Sequence, residues 1–233
     1  MASRCSTSFF GGGCFGVVEL LLEAVKKARI FRRNKVSLHH KVRAYLLYMS
    51  GLSVRRVSEF GVPASREAVR QWVHRFAELP SMLKPKVRRA IAVDETKLKV
   101  NGSHLFVWAA IDVDSREVLA VDASWQRSIM NAEHILKKAL RSCLNKPLIL
   151  VDKGPWYHDA LKSLGLKWKH ITHGMRNRIE RWFRTLKERT RRFYNNMNAR
   201  KLGILSMKLF LNLYTYYYNN LRTHQTLGKP PSR

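Results

Sequence analysis

Two apolar runs in this chain each end in an aspartate: Ile91-Ala92-Val93-Asp94 and Leu148-Ile149-Leu150-Val151-Asp152. A lone aspartate after a strand usually serves as a turn or capping residue. Two in matching contexts, in a chain with only 16 Asp+Glu against 44 Lys+Arg, invite a second reading. Carboxylates brought together repel, and a divalent cation relieves that repulsion. Mg2+ prefers oxygen ligands and keeps waters, so a few carboxylates plus substrate phosphates suit it. A third ligand is offered by Glu180, within the basic run RNRIERWFRTLKERTRR at 176–192. Seven helical residues advance the phase by about 700°, nearly two turns, so Lys187 shares the face of Glu180. One acid followed by one base on a common face can hold a metal and grip the adjacent phosphate backbone. The plainer alternative is an i,i+4 pair of Glu180 with Arg184 on a solvated helix. Two metal ions about 3.5–4 Å apart would activate a water or a 3′-hydroxyl and stabilise the leaving oxygen at phosphorus. Such chemistry needs positioning and charge neutralisation rather than a covalent protein nucleophile.

The charge balance names the class of partner. A net charge of +28 on 233 residues points to a polyanion, nucleic acid before an anionic membrane surface. A hydrophobic content of 45% argues against wholesale disorder. Three cysteines, Cys5, Cys14 and Cys143, form no CxxC pair and no disulfide framework, so a reduced, cytoplasmic setting is expected. The apolar stretch Phe15–Leu22 is too short to span a bilayer and leads straight into a charged helix without a cleavage site. Residues 1–16 read as a flexible leader, in which Cys5 and Cys14 lack further nearby metal ligands.

The periodicity divides the rest of the chain. Helices are expected over 19–33 (Leu21, Leu22, Val25, Ile30 apolar) and 37–50 (Val42, Tyr45, Leu46, Met49 apolar). Ser53–Phe60, the turn Gly61-Val62-Pro63-Ala64 and Ser65–Phe76 read as helix, turn, helix, with Ser53 and Ser65 as N-caps. Val69, Trp72, Val73 and Phe76 share one face, which leaves Arg66, Arg70 and His74 on other faces, free to meet DNA as a major-groove reader would. A small helical bundle with a solvated basic surface is the alternative. After a linker at 79–88 come short β-branched or aromatic runs, Ala90–Lys99, His104–Val113 and Val118–Trp125, joined by turns at Asn101-Gly102 and Asp114-Ser115. A helix (129–144), a strand (148–152), a helix (156–164), a strand (166–171) and two long helices (176–194, 201–219) follow. Trp108, Trp125 and Trp168 are expected in the core, and His170 and His173 in ordinary polar packing. The fold class is therefore α/β: an N-terminal helix-turn-helix region at 17–78, then a mixed sheet covered by helices at 89–222, then a basic tail at 223–233.

These residues resemble a known family. Asp94 in VDETKLK, Asp152 in LVDKGPWY, and Glu180 with Lys187 in RNRIERWFRTLK are similar to the DDE triad of insertion-sequence transposases, above all the IS-six-type group and its short archaeal members. The segment Tyr218-Asn219-Asn220-Leu221-Arg222-Thr223-His224, with Leu227-Gly228, resembles a tail shared by related transposases and integrases. The likeness covers roughly residues 20–230.

The resemblance implies an RNase H-like catalytic domain whose triad binds two Mg2+ ions, with Mn2+ a plausible substitute. It implies cutting of double-stranded DNA at element ends and joining of the exposed 3′-hydroxyls to target DNA. It also implies a homo-oligomer, a dimer or higher, because two ends must be paired. No small-molecule substrate and no membrane partner are expected. Asn177 and Arg178, just before the glutamate, match the motif and are expected with Arg184 and Lys187 at the DNA; Trp156 and Tyr157 match the segment after the second aspartate. Two departures stand out. The gap from Asp152 to Glu180 is short, 28 positions, and Glu188 offers a longer one, 36 positions, but Asn195 rather than a lysine follows it seven residues on. Residues 1–16 have no counterpart. The alternatives are an inactive relative that binds DNA, a metal-dependent nuclease without strand transfer, and a basic structural nucleic-acid protein, which leaves the strand-end aspartates unexplained.

Overall fold

The computed structural model describes residues 16–32, 35–79, 83–100, 103–171, 174, 177–191 and 204–233. The leader with Cys5 and Cys14, the Asn101-Gly102 turn, His173, Arg176 and the ends of the last two expected helices at 192–194 and 201–203 lie outside the described residues. The chain forms two compact units. One spans the residues up to Tyr48 together with Val54–Leu79; the other comprises Met49–Ser53 and the chain from residue 80 to the C-terminus.

The first unit is helical. Helix α1 (Val17–Ala28) buries Leu21, Leu22 and Val25 and ends where Arg29 turns into the left-handed region at φ 51°. That is five residues sooner than the apolar pattern alone indicates, yet Ile30 remains buried just beyond the end. Helix α2 (Leu38–Met49) buries Val42, Tyr45 and Met49 as expected. The Tyr45 ring stacks on Phe76 at 4.4 Å. The expected helix from Ser53 is instead one short α turn, α3 (Val54–Arg56), continued by a π-helical turn over Val57–Gly61. Ser58 donates its hydroxyl to the Arg55 carbonyl at 2.7 Å, a local bond that competes with regular helix. A Cβ at Gly61 would meet Leu47 Cδ1 at 2.6 Å, so a larger residue there would have to displace the end of the Leu47 side chain. Helix α4 (Arg66–Arg75) is capped by Ser65, whose hydroxyl accepts the Ala68 N–H at 3.3 Å. Val69, Val73 and Phe76 are buried, and Trp72 is half-buried.

The second unit is a five-stranded mixed sheet in the order β3-β2-β1-β4-β5. Strands β1 (Ala90–Val100), β2 (Ser103–Asp112) and β3 (Val118–Ser124) form an antiparallel meander. Strands β4 (Leu148–Val151) and β5 (Trp168–His170) add in parallel on the other side of β1. Parallel addition requires a crossover, supplied by α5 (Ile129–Leu140) before β4 and α6 (Pro155–Ser163) before β5. Ile91, Val93, Trp108, Ile135, Leu136, Ile149, Val151, Tyr157 and Leu161 build the core between sheet and these helices. Helices α7 (Asn177–Arg191) and α8 (Leu205–Asn220) complete the unit, α7 burying Ile179, Trp182, Phe183 and Leu186. This is the mixed sheet with helices expected from the sequence, and its strand order is RNase H-like.

Three details differ from expectation. Trp125 is 43% exposed: it follows the last β3 residue, whereas Trp108 sits mid-strand and is buried. Residues 86–88, expected in a linker, are built into this unit. Lys86 bridges to Cys143, and the fully buried Arg88 guanidinium donates to Asp112 at 2.6 Å, Glu117 at 2.8 Å and the Ser142 carbonyl at 3.0 Å. The last residues fold back rather than trail away. Ser232 donates its N–H to the Asn219 carbonyl at 3.0 Å. The buried Asn219 side chain in turn accepts the Val118 N–H and donates to the Val118 carbonyl, both at 2.9 Å. It thus satisfies the outer edge of β3 as a neighbouring strand would.

Candidate active site and nucleic-acid interface

The central strand positions the first aspartate. Alternation along β1 sends Ile91, Val93 and Glu95 toward α5 and α6, and Asp94 toward the opposite face. Asp94 is 5% exposed, and its Oδ1 accepts the Glu95 N–H at 3.0 Å. Asp152 follows the last residue of β4. Because Ala92 pairs with Leu150 in the parallel ladder, Asp94 and Asp152 each stand two residues beyond that pair, at neighbouring strand positions. The ends of parallel strands are where open α/β sheets gather their ligand sites.

The loop after Asp152 is shaped around its carboxylate. Oδ1 accepts the Gly154 N–H at 2.9 Å, and the Asp152 carbonyl accepts from His170 Nδ1 at 3.0 Å, so the proton of this imidazole sits on Nδ1. His170 thus ties β5 to the aspartate's backbone. A Cβ at Gly154 would meet the Trp156 ring at 2.8 Å and Asp152 Oδ1 at 3.0 Å.

Glu180 lies in the first turn of α7. It borders one cavity of about 1010 Å3 together with Asp94, Thr96, Lys97, Lys99 and Lys187. Glu180 and Lys187 therefore share a face, as the helix phase requires. Glu188 borders the same cavity and is paired with Arg184 at 4.0 Å, so Arg184 reaches the later glutamate. Asn177 is exposed at the start of α7. Arg178 lines a different pocket. Among the described residues, no three His, Cys, Asp or Glu side chains stand close enough together to hold a metal ion.

A carboxylate missing from the sequence reading lies beside the aspartates. Glu95, with its side chain 7% exposed, accepts the Tyr157 hydroxyl at 2.7 Å and lies 3.5 Å from Arg127. Burial raises the Glu95 pKa, and the Asp152 charge adds to the rise, against the hydrogen bonds from Tyr157 and Arg127. Burial, with the Glu95 charge next, pushes the Tyr157 phenol well above its usual range, which keeps it a donor. Arg127 stacks over the Trp156 ring at 4.4 Å. Adjacency to Asp94 was the one available signal, and it gives no hint that Tyr157 is the partner.

In the helical unit, Arg66 is exposed, but Arg70 is not free as expected. The i,i+3 spacing sets Glu67 beside it, and two hydrogen bonds of 2.7 and 2.8 Å hold the pair. The Glu67 carboxyl is lowered to about 2, first by Arg70 and then by Gln71. Burial, with the nearby Arg70 charge second, lowers the His74 pKa, which disfavours a positive charge on this imidazole. The helix-turn-helix surface thus offers Arg66 as a ready cation and Arg70 only in exchange for an existing partner.

A family model described as a DDE domain matches residues 88–213, more than half of the chain. The uncharacterized protein MJ0017 of Methanocaldococcus jannaschii is 38% identical over 205 residues, spanning 85% of this chain and 96% of that protein. The transposase for insertion sequence element IS257 in transposon Tn4003 of Staphylococcus aureus is 27% identical over 212 residues, spanning 85% and 92%. A chain of the simian T-cell lymphotropic virus intasome, solved with PP2A regulatory subunit B56 gamma, superposes with a TM-score of 0.50 at 19% identity over 82% of this chain and 73% of that one, a likeness of fold. Among the described residues no helix is long and apolar enough to cross a membrane. The chain belongs to the DDE transposases of the IS-six-type insertion-sequence group.

Proposed function

We propose that this chain binds the ends of an insertion element and catalyses metal-dependent cleavage and 3′-hydroxyl strand transfer, with Asp94, Asp152 and Glu180 as the catalytic carboxylates. The observation that carries the reading is the shared cavity of Asp94 and Glu180, with Asp152 at the neighbouring end of the parallel pair. The donor set is made of carboxylate oxygens only, which suits Mg2+ or Mn2+. Because Mg2+ keeps waters and takes substrate phosphates as ligands, the protein need not supply a closed cage before DNA arrives, which accords with the spread of the three acids. Two such ions, when bound, would supply Lewis acidity and lower the pKa of a water at phosphorus.

The chain's own residues do the positioning. Lys187, with Lys97 and Lys99 across the cavity, draws the phosphate backbone over the acids. The hydrogen bond from Gly154 holds the Asp152 carboxylate in one orientation. In the first step a water oxygen bonds to phosphorus, the bond to the 3′ oxygen breaks, and a 3′-hydroxyl and a 5′-phosphate result. In the second that hydroxyl attacks a target phosphodiester and displaces another 3′ oxygen, so the number of phosphoester bonds is conserved. Double-stranded DNA is the partner. Two copies or more would pair the two ends, and the work would take place in the cytoplasm where the element resides. The experiment is strand cleavage on duplexes carrying the gene's flanking DNA, with Asp152→Asn as control. Nicks that persist in the variant would refute the assignment.

A further inference from the structure

A second pocket lies against α7. It has a volume of about 290 Å3 and is lined by Arg116, Arg178, Arg181, Arg222, His224 and Tyr218. These residues come from the β2–β3 turn, from α7, from the end of α8 and from the segment after it, and with Arg184 the fold gathers five guanidinium groups across more than a hundred positions of sequence. Like charges in one small pocket repel, and the arrangement is favourable only when an anion neutralises them. Among the described residues no carboxylate lines the pocket. Asp114 lies near enough to feel Arg178 and Arg116, but it is already held by Arg89 through bonds of 2.6 and 3.2 Å.

Arg116 carries two further marks of a ligand site. Its backbone sits at φ 65°, an uncommon conformation for a residue with a Cβ. Its Nε is buried without a hydrogen-bond partner, an orphaned donor that costs stability unless something accepts from it. Burial, followed by the Arg178 charge, lowers the Arg116 pKa. At His224, Nδ1 accepts the Thr226 N–H at 3.2 Å, which leaves the proton on Nε2, a further donor at the pocket.

We propose that this pocket holds one phosphodiester group of the DNA strand that passes the catalytic cavity, with Arg116, Arg181 and Arg222 as its clamp. The volume of about 290 Å3 accommodates a phosphate group. The planar forks of arginine match phosphate oxygens in pairs. Arg184 borders both this pocket and the cavity of Asp94 and Glu180, so the two are neighbours along one helix. The proposal deepens the reading of the chain as a DNA transposase and rests on it for the identity of the strand.

The test uses fluorescence anisotropy of a labelled duplex with the full chain, over a series of potassium chloride concentrations. The proteins are wild type, Arg181→Gln with Arg222→Gln, and the same positions changed to Lys. Far-UV circular dichroism and melting confirm that each variant folds. The Gln pair is expected to bind about tenfold more weakly, and its slope of log K against log salt to fall by about 0.9, the loss of one phosphate contact. The Lys pair keeps the slope, because charge is retained. Wild-type affinity and slope in the Gln pair would overturn the proposal. A melting shift with inorganic phosphate that the Gln pair loses, with no change in the duplex slope, would overturn the DNA assignment in favour of a free anion. Wild type that binds with the expected slope difference but never nicks would leave the pocket standing while the cleavage reading fails.

Discussion

Arg88 offers the sharpest stability test. Its side chain is fully buried and donates to Asp112 and Glu117, each 5% exposed. Replacing it with methionine keeps much of the apolar volume but leaves the two buried carboxylates with Lys86, 2.7 Å from Glu117, and the Ser115 hydroxyl as partners. Removing one partner of a buried charge cluster costs about 3–5 kcal/mol. At about 2–4 °C per kcal/mol for a unit of this size, the melting temperature should fall by roughly 6–20 °C at pH 7. The pH dependence gives the sign. Burial alone would raise the Glu117 pKa, but hydrogen bonds from Lys86, Arg88 and Ser115 outweigh it and hold the carboxyl below its ordinary value. A depressed carboxylate stabilises the fold above its unfolded pKa, about 4.3, and that stability is lost as the pH falls through the lower folded value. In Arg88→Met burial prevails and Glu117 rises, so acid relieves the variant. The gap in melting temperature should therefore narrow between pH 7 and pH 4. Calorimetry of both proteins at the two pH values checks this. A shift under 3 °C at pH 7, or a gap that widens in acid, would show that Arg88 does not stabilise the fold by pairing these carboxylates.

Three other tests probe the sites. Gly154→Ala should lower cleavage at least tenfold with little loss of melting temperature, because its Cβ crowds Asp152 Oδ1 and the Trp156 ring; equal losses of both would show a packing role only. Glu180→Gln should abolish nicking while Glu188→Gln retains most of it, and the reverse result would move the third carboxylate one face-repeat along α7. Arg66→Ala should weaken end binding more than Arg70→Ala, since Arg70 must first leave Glu67; competition binding with the flanking duplex decides the order.

The elements that carry Asp94, Asp152 and Glu180, the proposed catalytic acids, were legible because their signals are local. Two apolar runs ending in aspartate, and a helix whose phase joins Glu180 to Lys187, need no knowledge of distant partners. The parallel register that brings Asp94 and Asp152 together follows once β1 and β4 are neighbours. What was illegible depends on tertiary placement. Arg88 sat in an expected linker, and nothing nearby indicated that Asp112 and Glu117 would bury it. Glu67 was visible three residues before Arg70, yet a basic helix front drew the eye to a partner outside the chain. The arginine pocket joins positions 116, 178–181 and 222, and no periodicity spans such separations. Asn219, noted only as part of a tail motif, proves to be the clasp on β3.

The most direct test of the account is a cleavage assay on a labelled duplex carrying the gene's own flanking DNA, with wild type and Asp152→Asn, each in Mg2+ and in Ca2+. Discrete nicks that leave 3′-hydroxyls at the element ends are expected in wild type with Mg2+ alone. Binding of both proteins without a nick in any lane, or equal nicking by Asp152→Asn, would contradict it.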